Sequence, residues 1–155
     1  MKAGGYGRWT KLNERKDLRI TKQKSEKGVG CVSAVGEMLL KSRLINVPQK
    51  QILDIIGEPA GIAGLEKCLR RFDNAEADNK WRAGYRNDFN FLKNKENFAV
   101  FLKEFGEPAH AVLVHKVENG RVIINDTYDQ SYYEMTEAEF LEVWTGAYIF
   151  YGKNK

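Results

Sequence analysis

Three side chains in this sequence have the types needed for covalent attack on an acyl group: a thiol, an imidazole and a carboxylate. Cys31 follows Gly28-Val29-Gly30 and opens a stretch in which Ala34, Val35, Met38 and Leu39 fall at helical spacing with it. A thiol in the first turn of a helix feels the positive end of the macrodipole and unpaired amides. Both favour the thiolate, which is the attacking form. The Cys31 N–H could donate to a developing oxyanion, and the neighbouring glycines would let a substrate approach closely. The alternative is an inert core thiol, which is the expectation for Cys68, in mid-helix among Leu65, Leu69 and Phe72.

His110 opens a run rich in β-branched residues, and Asp126 closes a second run that begins at Arg121. Glu118-Asn119-Gly120 between them marks a hairpin. A general base needs a third group to fix its tautomer and stabilise its charged form, and register decides whether Asp126 can be that group. A regular two-residue turn at Asn119-Gly120 would set His110 opposite Asp129 and send Asp126 to the other face. A three-residue loop, or a β-bulge that restores the same parity, sets His110 opposite Tyr128 with Asp126 as its diagonal neighbour. The expectation is therefore the three-residue loop or a bulge. His115, at odd spacing from His110, projects to the other side and is read as a partly buried packing histidine.

The elements that must hold these groups follow from spacing and punctuation. Helices are expected over residues 30–43, over 49–56 with Pro48 at its head and Gly57 at its end, over 62–72, and over 95–105 up to Gly106. Arg19-Ile20-Thr21 reads as a short strand. The polar stretch 74–94 is ambiguous, anchored by Trp81, Tyr85, Phe89 and Phe91. Strands are expected at 110–117, 121–125, 131–134 and 147–151. Thr136 with Glu139 forms a capping box that starts a helix over 137–144. Helices first and an antiparallel sheet afterwards make an α+β domain.

With 155 residues and 43% hydrophobic content, the chain is long enough for one domain with its own core, spanning 1–155. No apolar run approaches the roughly 20 residues a membrane helix needs, and no apolar stretch follows the N-terminal basic residues as in a signal peptide. Two cysteines are too few for a disulfide framework, and two histidines make a structural zinc site unexpected; no metal or cofactor is implied. The net charge is +4, yet residues 1–30 hold nine Lys or Arg against three acids. Residues 1–22 therefore form a basic N-terminal arm, either a solvated and partly flexible segment or a contact for RNA or an acidic partner.

The string GVGCVSAVGEMLL resembles the nucleophile helix of papain-like cysteine peptidases. HAVLVHKVENGRVIIND resembles their His strand and the strand that ends in the orienting residue, and SYYEMTEAEFLEVWTGAYIF resembles their closing helix and strand. The likeness covers about residues 23–151 and is closest to the compact bacterial branch. That branch holds the double-glycine bacteriocin-leader peptidases and the papain-fold toxin domains of polymorphic and contact-dependent inhibition toxins. The resemblance implies a papain-like fold, with a helical half carrying Cys31 as nucleophile and a sheet carrying His110 as base and Asp126 as its orienter. The family places an oxyanion-hole Gln six residues before the nucleophile. Ser25 stands there, and Gln23, eight before, takes the role if the 28–30 stretch absorbs two extra residues; otherwise it is a surface residue of the arm.

The resemblance further implies a cysteine hydrolase, peptidase or deamidase, acting on a protein or peptide. As a toxin or effector domain delivered within a larger protein, it would work in a target cell's cytoplasm and be blocked by a cognate immunity protein. The alternatives are a toxin ribonuclease on the same scaffold, using His110 as acid or base with Lys80-Trp81-Arg82 near the RNA, and a non-catalytic binding domain.

Overall fold

The computed structural model describes residues 11–24, 30–57, 61–74, 78–104 and 107–153. The chain forms β1 (Leu12–Lys16), then helices α1 (Cys31–Ser42), α2 (Gln49–Ile56) and α3 (Ile62–Phe72). Strand β2 (Lys80–Tyr85) and a 3-10 turn at Asn90–Leu92 follow, and then β3 (Phe98–Glu104), β4 (Glu107–Glu118), β5 (Arg121–Asp126) and β6 (Ser131–Thr136). Helix α4 (Glu137–Val143) and β7 (Trp144–Gly152) close the chain. The α+β class read from the sequence is the one observed.

The strands form one sheet in the order β1-β6-β5-β4-β3-β7-β2, with antiparallel neighbours. On one face, Val35, Leu39 and Leu40 of α1, Ile52 of α2, and Leu65 and Leu69 of α3 share a core with Ala99, Phe101, Ala111, Leu113 and Ile149. On the other, Phe140 and Val143 of α4 and Leu92 of the 3-10 turn share a core with Val100, Val112, Val114, Ile124 and Tyr133. Alternate residues of β3 and β4 thus feed two cores. Each fully buried aliphatic or aromatic side chain contributes about 1.5–3 kcal/mol, and these central strands collect that on both faces.

This double burial explains the main departure from the sequence reading. Part of the 95–105 stretch, expected as a helix, is strand β3. Phe98, Ala99, Val100, Phe101 and Leu102 are all buried. A surface helix hides only one stripe of such a run, whereas a strand between β4 and β7 hides both sides. Residues 105 and 106 lie outside the described residues.

The first strand is Leu12–Lys16 rather than Arg19-Ile20-Thr21. It pairs with β6, and the Arg15 guanidinium lies 4.0 Å over the Tyr132 ring. That part of the expected arm is a sheet edge; residues 1–10 lie outside the described residues. Of the four expected anchors, Tyr85 is 70% exposed, while Trp81 and Phe89 are buried and Phe91 packs against the core. Trp81 donates from Nε1 to Asp73 Oδ2 at 2.9 Å, and Arg43 grips the same carboxylate at 2.9 and 3.3 Å. The tryptophan is a core anchor between α3 and β2, not a stacking platform.

The capping box forms as expected, Thr136 accepting from the Glu139 N–H. In the Trp144-Thr145-Gly146 entry to β7, Gly146 has φ +95°, and a Cβ there would lie 2.7 Å from the Arg86 carbonyl oxygen. Only glycine fits that conformation and that approach.

Candidate active site

Strand β4 lies between β3 and β5, which places His110 deep in the sheet. The β4–β5 hairpin begins with the pair Glu118↔Arg121, so its turn is the two-residue Asn119-Gly120, with φ values of 53° and 71°. Continued regularly, that turn would point Asp126 away from His110. The register slips between Val114 and Lys116, and the residue left over is His115. Beyond this bulge Val114 pairs with Ile124 and Leu113 with Asn125. The bulge restores the parity, and His110 Nε2 lies 2.8 Å from Asp126 Oδ1. His115 is the bulged residue itself, half-buried, with Nδ1 3.3 Å from Asn97 Oδ1.

Asp126 is buried, and both its oxygens are engaged. Oδ1 accepts from His110 and from the Tyr128 N–H at 3.0 Å, and Oδ2 accepts from the Tyr133 hydroxyl at 2.9 Å. Asp126 pairs with Ser131 across the β5–β6 ladder, so Tyr133 is its diagonal neighbour on the same face. Sequence reasoning missed Tyr133; the alternation of SYYEMT was the available signal. Replacing Tyr133 with Phe is expected to cost about 1.5–3 kcal/mol, the scale of a hydrogen bond to a charged group, measured by urea unfolding.

Cys31 is the first residue of α1 and is 4% exposed. The first turn of α1 carries no acidic residue to offset the helix dipole. Gly30 precedes it as the cap; Gly28, Val29 and Ser25 lie outside the described residues. With Nε2 held by Asp126, Nδ1 is the imidazole nitrogen left for the thiol. It is buried without an aligned hydrogen bond, although Cys31 and His110 are close enough to couple through hydrogen bonding and charge. Resting nucleophile–base pairs often align only when substrate arrives.

Burial opposes ionisation of Cys31 most strongly. Coupling to the nearby His110 imidazolium, with the Ala111 N–H, outweighs it and holds the thiol below its ordinary 9.0. For His110, burial again opposes the charged form; Asp126, by charge and hydrogen bond, and Cys31 overcome it and raise the imidazole to about 10. Asp126 is likewise held low: burial opposes its charge, and His110, the Tyr128 N–H and Tyr133 outweigh it. Cys68, by contrast, is pushed up by burial, as an inert thiol should be. The arrangement favours a thiolate beside an imidazolium over the neutral pair.

Gln23 lies between β1 and α1. Its N–H donates to the Thr127 carbonyl at 2.8 Å, one residue beyond Asp126, and its side-chain oxygen is buried. Among the described residues no group of three or more His, Cys, Asp or Glu is placed to hold a metal ion. No helix there is long and apolar enough to cross a membrane.

A thiol at a helix N-terminus set against a His and a carboxylate on an antiparallel sheet is the architecture of papain-like cysteine peptidases. The chain belongs to the Peptidase C39 family, which it matches over residues 17–155. It is 35% identical over 153 residues to Cysteine protease effector 1 of Escherichia coli O1:K1:H7. That match takes in 97% of this chain but only 30% of the relative's length.

Two solved structures share the fold. One is a double glycine motif protease from an AMS/PCAT transporter in complex with the leader peptide (TM-score 0.68, 17% identity, covering 93% of this chain and 98% of that one). The other is the peptidase domain of Streptococcus ComA, a bi-functional ABC transporter of a quorum-sensing pathway (TM-score 0.71, 18% identity, covering 86% and 97%).

Proposed function

We propose that this member of a cysteine peptidase family uses Cys31, His110 and Asp126 as its catalytic triad to cleave peptide bonds, as the enzymatic domain of a delivered effector. The observation that supports it best is the buried 2.8 Å His110–Asp126 pair with the Cys31 thiol coupled to the ring. The Cys31 thiolate adds to the carbonyl carbon, forming a C–S bond and moving an electron pair onto oxygen. The Cys31 N–H and the Gln23 side-chain amide donate to that oxygen. As the oxyanion collapses, the leaving amine takes the His110 proton and departs, leaving a thioester. Neutral His110 then removes a proton from water, which attacks the thioester and releases the acid. Asp126 fixes the ring and stabilises its cationic form.

A peptide is the favoured substrate because the family is a peptidase family and a protein of like fold was solved with a leader peptide. The effector role rests on the E. coli relative. On this reading the 155 residues are one papain-like domain, working in a target cell's cytoplasm under restraint by a dedicated immunity protein. The ribonuclease alternative draws no support from the family, and Trp81 is buried away from any RNA.

The test compares target-cell lysate treated with the domain or with Cys31→Ala, reading new peptide N-termini by mass spectrometry. New termini made only by the unaltered protein are expected. Side-chain deamidation without new termini would contradict peptide cleavage and point to amidase chemistry.

The pH profile of kcat/KM follows from the pair. Activity is expected to rise with pH along a limb set by Cys31, below 9.0, and to fall along an alkaline limb near pH 10 as His110 loses its proton.

A further inference from the structure

Gln49, in the first turn of α2, is a buried polar residue outside the triad, 6% exposed. Its side-chain Nε2 donates to the Lys22 carbonyl at 2.7 Å, and its Oε1 accepts from the Lys24 N–H at 3.0 Å. In an extended segment, the carbonyl of one residue and the N–H two residues later point to the same side. The N–H of the residue between them points to the other. That residue is Gln23, whose N–H meets the Thr127 carbonyl at 2.8 Å. Gln23 is thus gripped on both edges, by a side-chain amide that imitates a neighbouring strand and by the residue after Asp126.

The clamp is tied to the nucleophile helix as well. The Gln49 backbone N–H donates to Glu37 Oε1 at 2.6 Å, and Glu37 lies on α1, six residues after Cys31. The other Glu37 oxygen accepts from Thr21 Oγ1 at 3.4 Å. Bonds therefore run from α1 through Glu37 and Gln49 to the backbone around Gln23, and on to the loop after Asp126. A satisfied buried amide of this kind fixes a geometry that apolar packing would leave free to slide.

We infer that Gln49 is the positioning residue of the oxyanion hole: its amide brackets the Gln23 backbone and sets the Gln23 side chain relative to Cys31. The inference rests on the reading of Gln23 as oxyanion donor. The role needs a donor and an acceptor on one side chain, so neither Leu nor Glu can fill it.

Two reactions of Cys31 separate positioning from general damage. Acylation by p-nitrophenyl acetate forms the C–S bond, passes through an oxyanion and expels p-nitrophenolate, which is read directly. Alkylation by iodoacetamide displaces iodide at a saturated carbon and forms no oxyanion. Both need the thiolate, and Cys31→Ala gives the background. Gln49→Leu is expected to slow acylation about tenfold or more while leaving alkylation within about twofold, and Gln23→Ala to do the same. In the Gln23→Ala background, Gln49→Leu should change acylation by less than about twofold, because the group it positions is gone. Gln49→Glu keeps the acceptor for Lys24 and loses the donor to Lys22; an intermediate loss is expected, and it serves should the Leu variant fold poorly.

Equal slowing of both reactions, or losses that multiply in the double variant, would overturn the inference. If Gln23→Ala leaves acylation unchanged, it is the oxyanion reading of Gln23 that falls, and Gln49 is then purely structural.

Discussion

Replacing Cys31 with Ala is expected to lower turnover by about 10⁴-fold or more while the protein still folds, because on the proposed mechanism the acyl intermediate forms on the Cys31 sulfur. The same variant should carry a second signature, in stability against pH. His110 has a raised folded pKa of about 10 against an ordinary 6.5, so its contribution is complete below pH 6.5 and is lost as pH rises toward 10. Cys31 has a folded pKa below its ordinary 9.0, so its contribution is complete above pH 9.0 and is lost as pH falls. Within the window that lies above the folded Cys31 pKa and between 6.5 and 9.0, the folded protein holds one proton more on His110 and one fewer on Cys31 than the unfolded chain. The two slopes cancel. Without the thiol, Asp126 still holds the imidazole above 6.5, and only the falling slope remains, at most about 1.4 kcal/mol per pH unit. Urea unfolding at several pH values checks this. The pair should contribute no slope in the unaltered protein over that window, and stability should decline in Cys31→Ala.

Asp126→Ala is expected to be the most destabilising change at the site, by about 3–5 kcal/mol at neutral pH. Asp126 and His110 are both fully buried, and removing the carboxylate strands the imidazole and the Tyr133 hydroxyl together. The ring can avoid a lone buried charge only by giving up its proton, which also removes the cation that holds Cys31 as thiolate. Activity should therefore fall by about 10²-fold or more even where the variant is folded, and the acid limb of its pH profile should move up. Adding Tyr133→Phe to Asp126→Ala should cost less than Tyr133→Phe alone, since the hydroxyl has already lost its acceptor.

The site was more legible in the sequence than the elements around it. The Gly30-Cys31 helix start, and a His and an Asp on neighbouring strands, are local features with physical requirements of their own. The need for His110 and Asp126 to share a face was enough to require a loop or a bulge, and the bulge is there, at His115. β3 was misread because an apolar run with Lys and Glu around it serves a helix as well as a strand. What decided the matter was burial on both faces by chains far away in sequence. Tyr133 and Gln49 were invisible for the same reason. Their roles depend on one cross-strand diagonal and on a side chain meeting backbone more than twenty residues distant. The alternation of SYYEMT sets Tyr133 on a face without setting it beside Asp126, and no local spacing announces the Gln49 contact.

The most direct test of the account is the pH dependence of iodoacetamide alkylation at Cys31 and Cys68, followed by peptide mass spectrometry with His110→Ala alongside. With the thiolate–imidazolium pair in place, Cys31 titrates below 9.0 while Cys68 titrates above it, and His110→Ala returns Cys31 to the behaviour of an ordinary or buried thiol. If Cys31 titrates with Cys68 and is indifferent to His110, there is no thiolate–imidazolium pair, and the catalytic reading of this site is wrong.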